Sequence, residues 1–154
     1  MGNSFFKSRK ADDQKINKVV FDEAVSNEFT RFSGDLIQDS YFLKQLYSYP
    51  ANIDFMLREF TINGMEKRAA LFYIPSMTDA KIIEEEIIKP LITTNKIIDD
   101  VTSMISASAI SVEKEVKTAL KELNRGETLL LLEGETHVYI INTSKLEGRS
   151  IEKP

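Results

Sequence analysis

Four consecutive leucines, Leu129 to Leu132, restrict this chain more than any other stretch. Successive side chains of a strand point to opposite sides of its sheet. A strand that is apolar on both sides must be covered on both, so this run belongs in the middle of a sheet. Turn residues follow at Glu133-Gly134-Glu135, then a second strand-like run, His137 to Ile141. Two such runs around a short glycine-bearing loop read as a β-hairpin.

A second hairpin is predicted upstream. Asp54 to Ile62 and Arg68 to Ile74 flank Asn63-Gly64, the strongest short-range hairpin signal, in a loop longer than two residues. Ala69 to Ile74 is again almost wholly apolar, which predicts another strand covered on both faces. Pro75 stops it.

Helical spacing accounts for the remainder. Gly34-Asp35 opens a helix with Leu36, Leu43, Leu46 and Tyr47 on one side, Asp35 as its cap and Pro50 at its end. Thr78 or Asp79 caps a helix carrying Ala80, Ile83 and Ile87 to about Lys89, and Pro90 demands a break or kink. Ile97, Ile98, Val101, Met104 and Ile105 predict a short amphipathic helix, and Ser106 to Ala109 a connector. Val112, Val116, Ala119, Leu120 and Leu123 predict a further helix that ends at a left-handed Gly126. The order is helix, hairpin, three helices, hairpin. It specifies an α/β (α+β) fold, with about four strands in a mixed sheet from two hairpins and helices packed on it. Residues 1–33 read as a flexible mixed-charge arm and residues 34–154 as a single α/β subdomain.

Several function classes are excluded or disfavoured. There is no cysteine, so disulfides, thiolate metal sites and thiol nucleophiles are ruled out. A net charge of −4 argues against nucleic acid as a partner. The five cations among residues 1–18 are diluted by Asp12 and Asp13, so the arm is a weak lure for an acidic surface. No run approaches the roughly 18 apolar residues of a membrane span. The single histidine, His137, sits in a predicted strand without a second His or Cys, which suits a half-exposed strand side chain. Glu84-Glu85-Glu86 reads as a solvated helix face and not a metal site. No phosphate-binding, dinucleotide or nucleophile-elbow motif occurs. The reading is of a binding protein that is not an enzyme, with no cofactor and no metal.

An ordered set of residues narrows this reading. Asp54 and Arg58, then Arg68-Ala69-Ala70-Leu71-Phe72-Tyr73-Ile74, then Asp79 and Lys89-Pro90-Leu91 come first. A helix ending in Gly126, the strand Thr128 to Leu132, Glu133-Gly134, a strand to Ile141 and Arg149-x-Ile151-Glu152-x-Pro154 complete the set. Over about residues 35–154 it resembles the A subunit of spore germinant receptors, the GerA family. The resemblance implies a chain that is the first half of a larger soluble N-terminal region, on the cytoplasmic, spore-core side, with the full-length protein in the spore inner membrane. The implied partners are the receptor B and C subunits, the second subdomain and membrane domain of the same protein, further copies of itself, and a nutrient germinant (amino acid or sugar) at a cleft between subdomains. Arg149 and Glu152 are then candidate interface residues. Arg58 is a candidate cleft residue, for which a rim ion pair is the plainer reading. The alternative is a free-standing soluble small-molecule-binding or regulatory α/β module.

Overall fold

A computed structural model describes residues 29–95, 100–105 and 109–145. Its elements are α1 (Leu36–Leu46), β1 (Met56–Ile62), β2 (Lys67–Tyr73), a π-helical stretch (Ile82–Ile88) that runs directly into α2 (Lys89–Thr93), β3 (Ile110–Glu113), α3 (Val116–Leu123), β4 (Thr128–Leu132) and β5 (Val138–Ile141). The strands form one sheet in the order β1-β2-β4-β5-β3. Every neighbouring pair is antiparallel.

The leucine run is where its chemistry requires it. Every residue of β4 is buried, and β4 lies between β2 and β5. Leu129 and Leu131 share one face with Ala70, Phe72, Val138 and Ile140, and α1 and α3 cover that face with Leu43, Leu46, Val116, Leu120 and Leu123. Leu130 and Leu132 share the other face with Leu71, Tyr73 and Ile141, under Ile83, Ile87, Ile88, Leu91, Val101 and Met104. Each fully buried leucine or isoleucine contributes about 1.5–3 kcal/mol relative to exposure, so the two layers together hold the sheet in place.

Local signals fixed several boundaries. Asp35 accepts from the backbone N–H groups of Ile37 and Gln38 at 3.1 Å each, capping α1. The loop after β1 is the expected wide one: Glu66 N–H donates to Ile62 O at 2.8 Å, and Gly64 adopts φ 94°. Pro90 has no N–H to give, and the winding changes beside it, from π before Lys89 to α after it. Lys89 N–H reaches back five residues to Glu84 O.

The α+β fold is the expected one and the strand count is close to the expected four: the sheet has a fifth strand, β3, at its far edge, and its pairing is antiparallel throughout in place of a mixed sheet. Two expectations about the helices need correction. Val112 belongs to β3 and not to the helix, which starts at Val116. Ile110-Ser111-Val112-Glu113 alternates apolar and polar, and the open edge of β5 recruits it in register, Ser111 opposite Ile140. The amphipathic helix around Val101 is, in its described part, only a 3₁₀ turn, Val101–Ser103. Asp100 takes Thr102 N–H at 3.1 Å and its hydroxyl at 2.8 Å, a local turn that competes with helix. Ile97 and Ile98 lie outside the described residues. So do residues 1–28 of the arm, but Phe29 and Phe32 are buried in the core, with Phe29 stacked on Phe42 at 4.7 Å, so packing begins before Gly34. Among the described residues no helix is long and apolar enough to cross a membrane.

Gly126 closes α3 with φ 102°, and its N–H donates to Leu123 O at 3.0 Å. The chain leaving β5 is stitched to it. Thr143 Oγ1 donates to Gly126 O at 2.9 Å, Thr128 and Thr143 hydroxyls meet at 2.7 Å, and Asp79 N–H donates to Thr143 O at 2.8 Å. A Cβ at Gly126 would lie 2.8 Å from Met77 O and 2.9 Å from Ser144 Oγ. Gly126→Ala is therefore expected to destabilise by about 2 kcal/mol or more, lowering Tm on the order of 5–10 °C in thermal circular dichroism. An unchanged Tm would show that this junction relaxes freely.

Asp39 is 2% exposed, and its carboxylate accepts the Ser33 N–H at 3.1 Å and the Ser33 hydroxyl at 2.8 Å. Burial pushes its pKa above the ordinary 3.8, against the pull of those hydrogen bonds. A raised folded-state pKa means that this group's contribution is fully present below 3.8 and is lost as pH rises through the raised value. The stability difference between wild type and Asp39→Asn should therefore move in favour of wild type as pH falls from neutral toward 3.8 in urea unfolding. A difference that stays flat over that interval contradicts it.

Candidate functional site

Arg58 stands in the middle of β1, opposite Leu71 and on the face covered by the π-helical stretch. Its Nη1 donates to Glu84 Oε2 at 2.7 Å. The hydrogen bond to Glu84 pushes the guanidinium pKa further up, partial burial opposes it, and the Tyr73 phenol adds to the rise. Both side chains are substantially exposed, so the pair contributes at most about 1 kcal/mol. Its geometric effect is to tie the sheet edge to the covering helix. It also removes Glu84 from the run of free carboxylates. Arg149 and Glu152 lie outside the described residues.

A second polar group forms at the hairpin end of the sheet. Glu135, in the turn between β4 and β5, accepts Lys67 Nζ on Oε2 at 3.0 Å and the Tyr139 hydroxyl on Oε1 at 2.9 Å. His137 Nε2 lies 3.1 Å from the same Oε1 and 3.2 Å from the Tyr139 hydroxyl. Burial pushes the Tyr139 phenol up, and the Glu135 hydrogen bond, the Glu135 charge and the Asp100 charge add to the rise. The phenol thus stays protonated and serves as a donor. Glu135 is a hub that meets protein donors on both of its oxygens, so the arrangement clamps β2 to the β4–β5 hairpin. His137 sits just before β5, half-buried. Glu135, His137 and Tyr139 alternate at strand spacing, a signal that places them on one side. Lys67 comes from 68 residues away, which no local pattern could show. Among the described residues no group of three or more His, Asp or Glu is placed to hold a metal ion.

A cleft of about 400 Å³ opens between β3 and α3. Ser111, Glu113, Thr118, Glu122 and Asn142 line it, with Ile140 among its apolar lining. Its three carboxylates are engaged: Glu113 accepts Glu115 N–H at 2.9 Å, Glu122 lies 3.8 Å from Arg125, and Glu127 accepts Thr143 N–H at 2.9 Å. Its volume lies within the range of small-molecule sites.

The other residues picked out by the sequence pattern hold the scaffold. Asp54 accepts Ser76 N–H at 2.9 Å and its hydroxyl at 2.5 Å, fixing the turn after β2. Asp79 accepts Lys81 N–H at 3.0 Å at the start of the following helix.

Comparison with known proteins agrees with this architecture. The fold is similar to the crystal structure of the N-terminal domain of the A subunit of the Bacillus megaterium spore germinant receptor GerK3, with a TM-score of 0.60 and 20% sequence identity. The likeness covers 77% of this chain and 50% of that one, so the chain spans about half of the solved domain. No curated protein sequence matches the chain. A family model, the Bacillus/Clostridium GerA spore germination protein, matches residues 41–154. The match takes in the whole sheet and both of its helical layers from within α1 onward, and this chain therefore belongs to the GerA spore germination family.

Proposed function

We propose that this chain is the first half of the N-terminal region of a germinant receptor A subunit, and that it takes part, without catalysing a reaction, in sensing a nutrient or passing on the signal that starts spore germination. The observation that carries this reading is the joint one of family and extent: a GerA match over residues 41–154, and a fold that accounts for half of a solved A-subunit N-terminal domain. On this reading the other half of that region, a membrane-embedded portion of the full-length protein in the spore inner membrane, and the receptor B and C subunits are its partners. Arg149 and Glu152 are then the candidate interface residues toward the second half. Arg58 acts through its rim ion pair and not through ligand contact. The cleft between β3 and α3 favours a second reading, a module that binds a small polar molecule by itself.

The two readings separate in one titration. If the nutrient sits between halves, the isolated chain should show no saturable heat with amino acids or sugars below millimolar concentrations in calorimetry. A micromolar Kd for one of them would instead place the site within this chain. In spores, removal of the coding region is expected to abolish the response to the receptor's nutrients, read as loss of refractility. Normal germination to every nutrient would refute the receptor role.

A further inference from the structure

The helical layer formed by α1 and α3 presents a surface that the receptor reading does not use. The two helices lie side by side on one face of the sheet. Val116 N–H donates to Thr30 O at 2.9 Å beside their starts, and the Tyr47 hydroxyl donates to Asn124 Oδ1 at 2.7 Å beside their ends. Their inner sides are apolar core. On the outer side Lys117, Lys121 and Arg125 recur at intervals of four residues, which brings them to one side of α3 and its C-terminal flank, and Lys114 stands in the segment just before the helix. All four are exposed. Among the described residues the three lysines have no carboxylate partner. One turn apart on the outer side of α1 stand Ile37, 70% exposed, and Tyr41, 58% exposed, followed by Lys44. The acids of this layer are occupied: Asp35 caps α1, Glu115 pairs with Arg31 at 3.1 Å, and Glu122 pairs with Arg125.

The opposite layer carries the other sign. Asp79, Glu84, Glu85 and Glu86 outnumber Lys81, Lys89 and Arg58 there, with Arg58 paired to Glu84. A chain with net charge −4 thus has one positive helical face and one negative one.

We propose that the outer face of α1 and α3 docks on an anionic lipid bilayer. The lysines, on long flexible stems, suit a diffuse layer of headgroup charge better than a shaped protein pocket. Ile37 and Tyr41 are exposed on α1, and an interfacial lipid region accepts an aliphatic and an aromatic tip. The acidic opposite layer would turn away from the same surface, so the charge separation also sets the orientation. The inference rests on this layer alone and stands or falls independently of the receptor role.

The test is cosedimentation of the full chain with vesicles of phosphatidylcholine, with and without about one third phosphatidylglycerol, over a range of salt. Binding should require the anionic lipid and weaken as salt rises. Lys117→Ala with Lys121→Ala should weaken it by about twentyfold, from about fivefold per cation near an anionic surface. Ile37→Ser with Tyr41→Ser should remove the part that survives high salt. All four residues are exposed, so Tm should stay unchanged in both variants. Equal binding to neutral vesicles, or binding that both variants retain because residues 1–28 carry it, overturns the proposal. So does the absence of binding to anionic vesicles, whether the chain stays monomeric or associates with itself through its two oppositely charged faces.

Discussion

Covering both sides of β4 is the condition on which the rest of the molecule depends. Leu129 and Leu131 need one apolar layer, and Leu130 and Leu132 need another. The chain satisfies this by its path. After the first hairpin it lays the π-helical stretch and α2 over one face, crosses to the far edge as β3, and returns over the other face as α3 before entering β4. Each layer is therefore in place on either side of the strand that most needs it. Polar positions are pushed to the two edge strands, where β1 and β3 keep several residues exposed.

What could be read from the sequence was local chemistry. The leucine run, the Asn63-Gly64 loop, the Asp35 cap and the Gly126 stop each depend on a few neighbouring residues, and each is found in its expected role. The misreadings depend on distant partners. Val112 satisfies a helical spacing with Val116 and a strand alternation with Ile110 equally well, and only the free edge of β5 decides between them. The winding of Ile82–Ile88 was also missed. Its isoleucines come in pairs five apart, Ile82 with Ile87 and Ile83 with Ile88, and all four are buried. An α-helix would spread those pairs around its surface. A wider turn gathers them on one side, and the proline that follows leaves no N–H to enforce the tighter winding.

The candidate site residues divide the same way. Arg58 was singled out, and the rim pair it makes reaches Glu84 across 26 residues. The hub at Glu135 was not singled out, although three of its members alternate within five residues, because its decisive partner, Lys67, comes from the other hairpin. Asp54, Arg58 and Asp79 help to carry the family likeness, and each one bonds a neighbouring element of the scaffold. The likeness thus records how the fold is held together.

The clamps also bear on how such a unit could act within a receptor of the proposed kind. Arg58–Glu84 links the sheet to one layer, Tyr47–Asn124 links the helices of the other, and Glu135 links the two hairpins. A core packed on both sides of a sheet resists gradual deformation, because displaced side chains lose contacts faster than they gain them. A signal crossing this unit would therefore travel as a change in its position or orientation and not as a change in its interior. Its outer faces become the places where such a change is set, and these carry opposite charge. A body that is rigid inside and polarised outside responds to a charged boundary by turning as a whole.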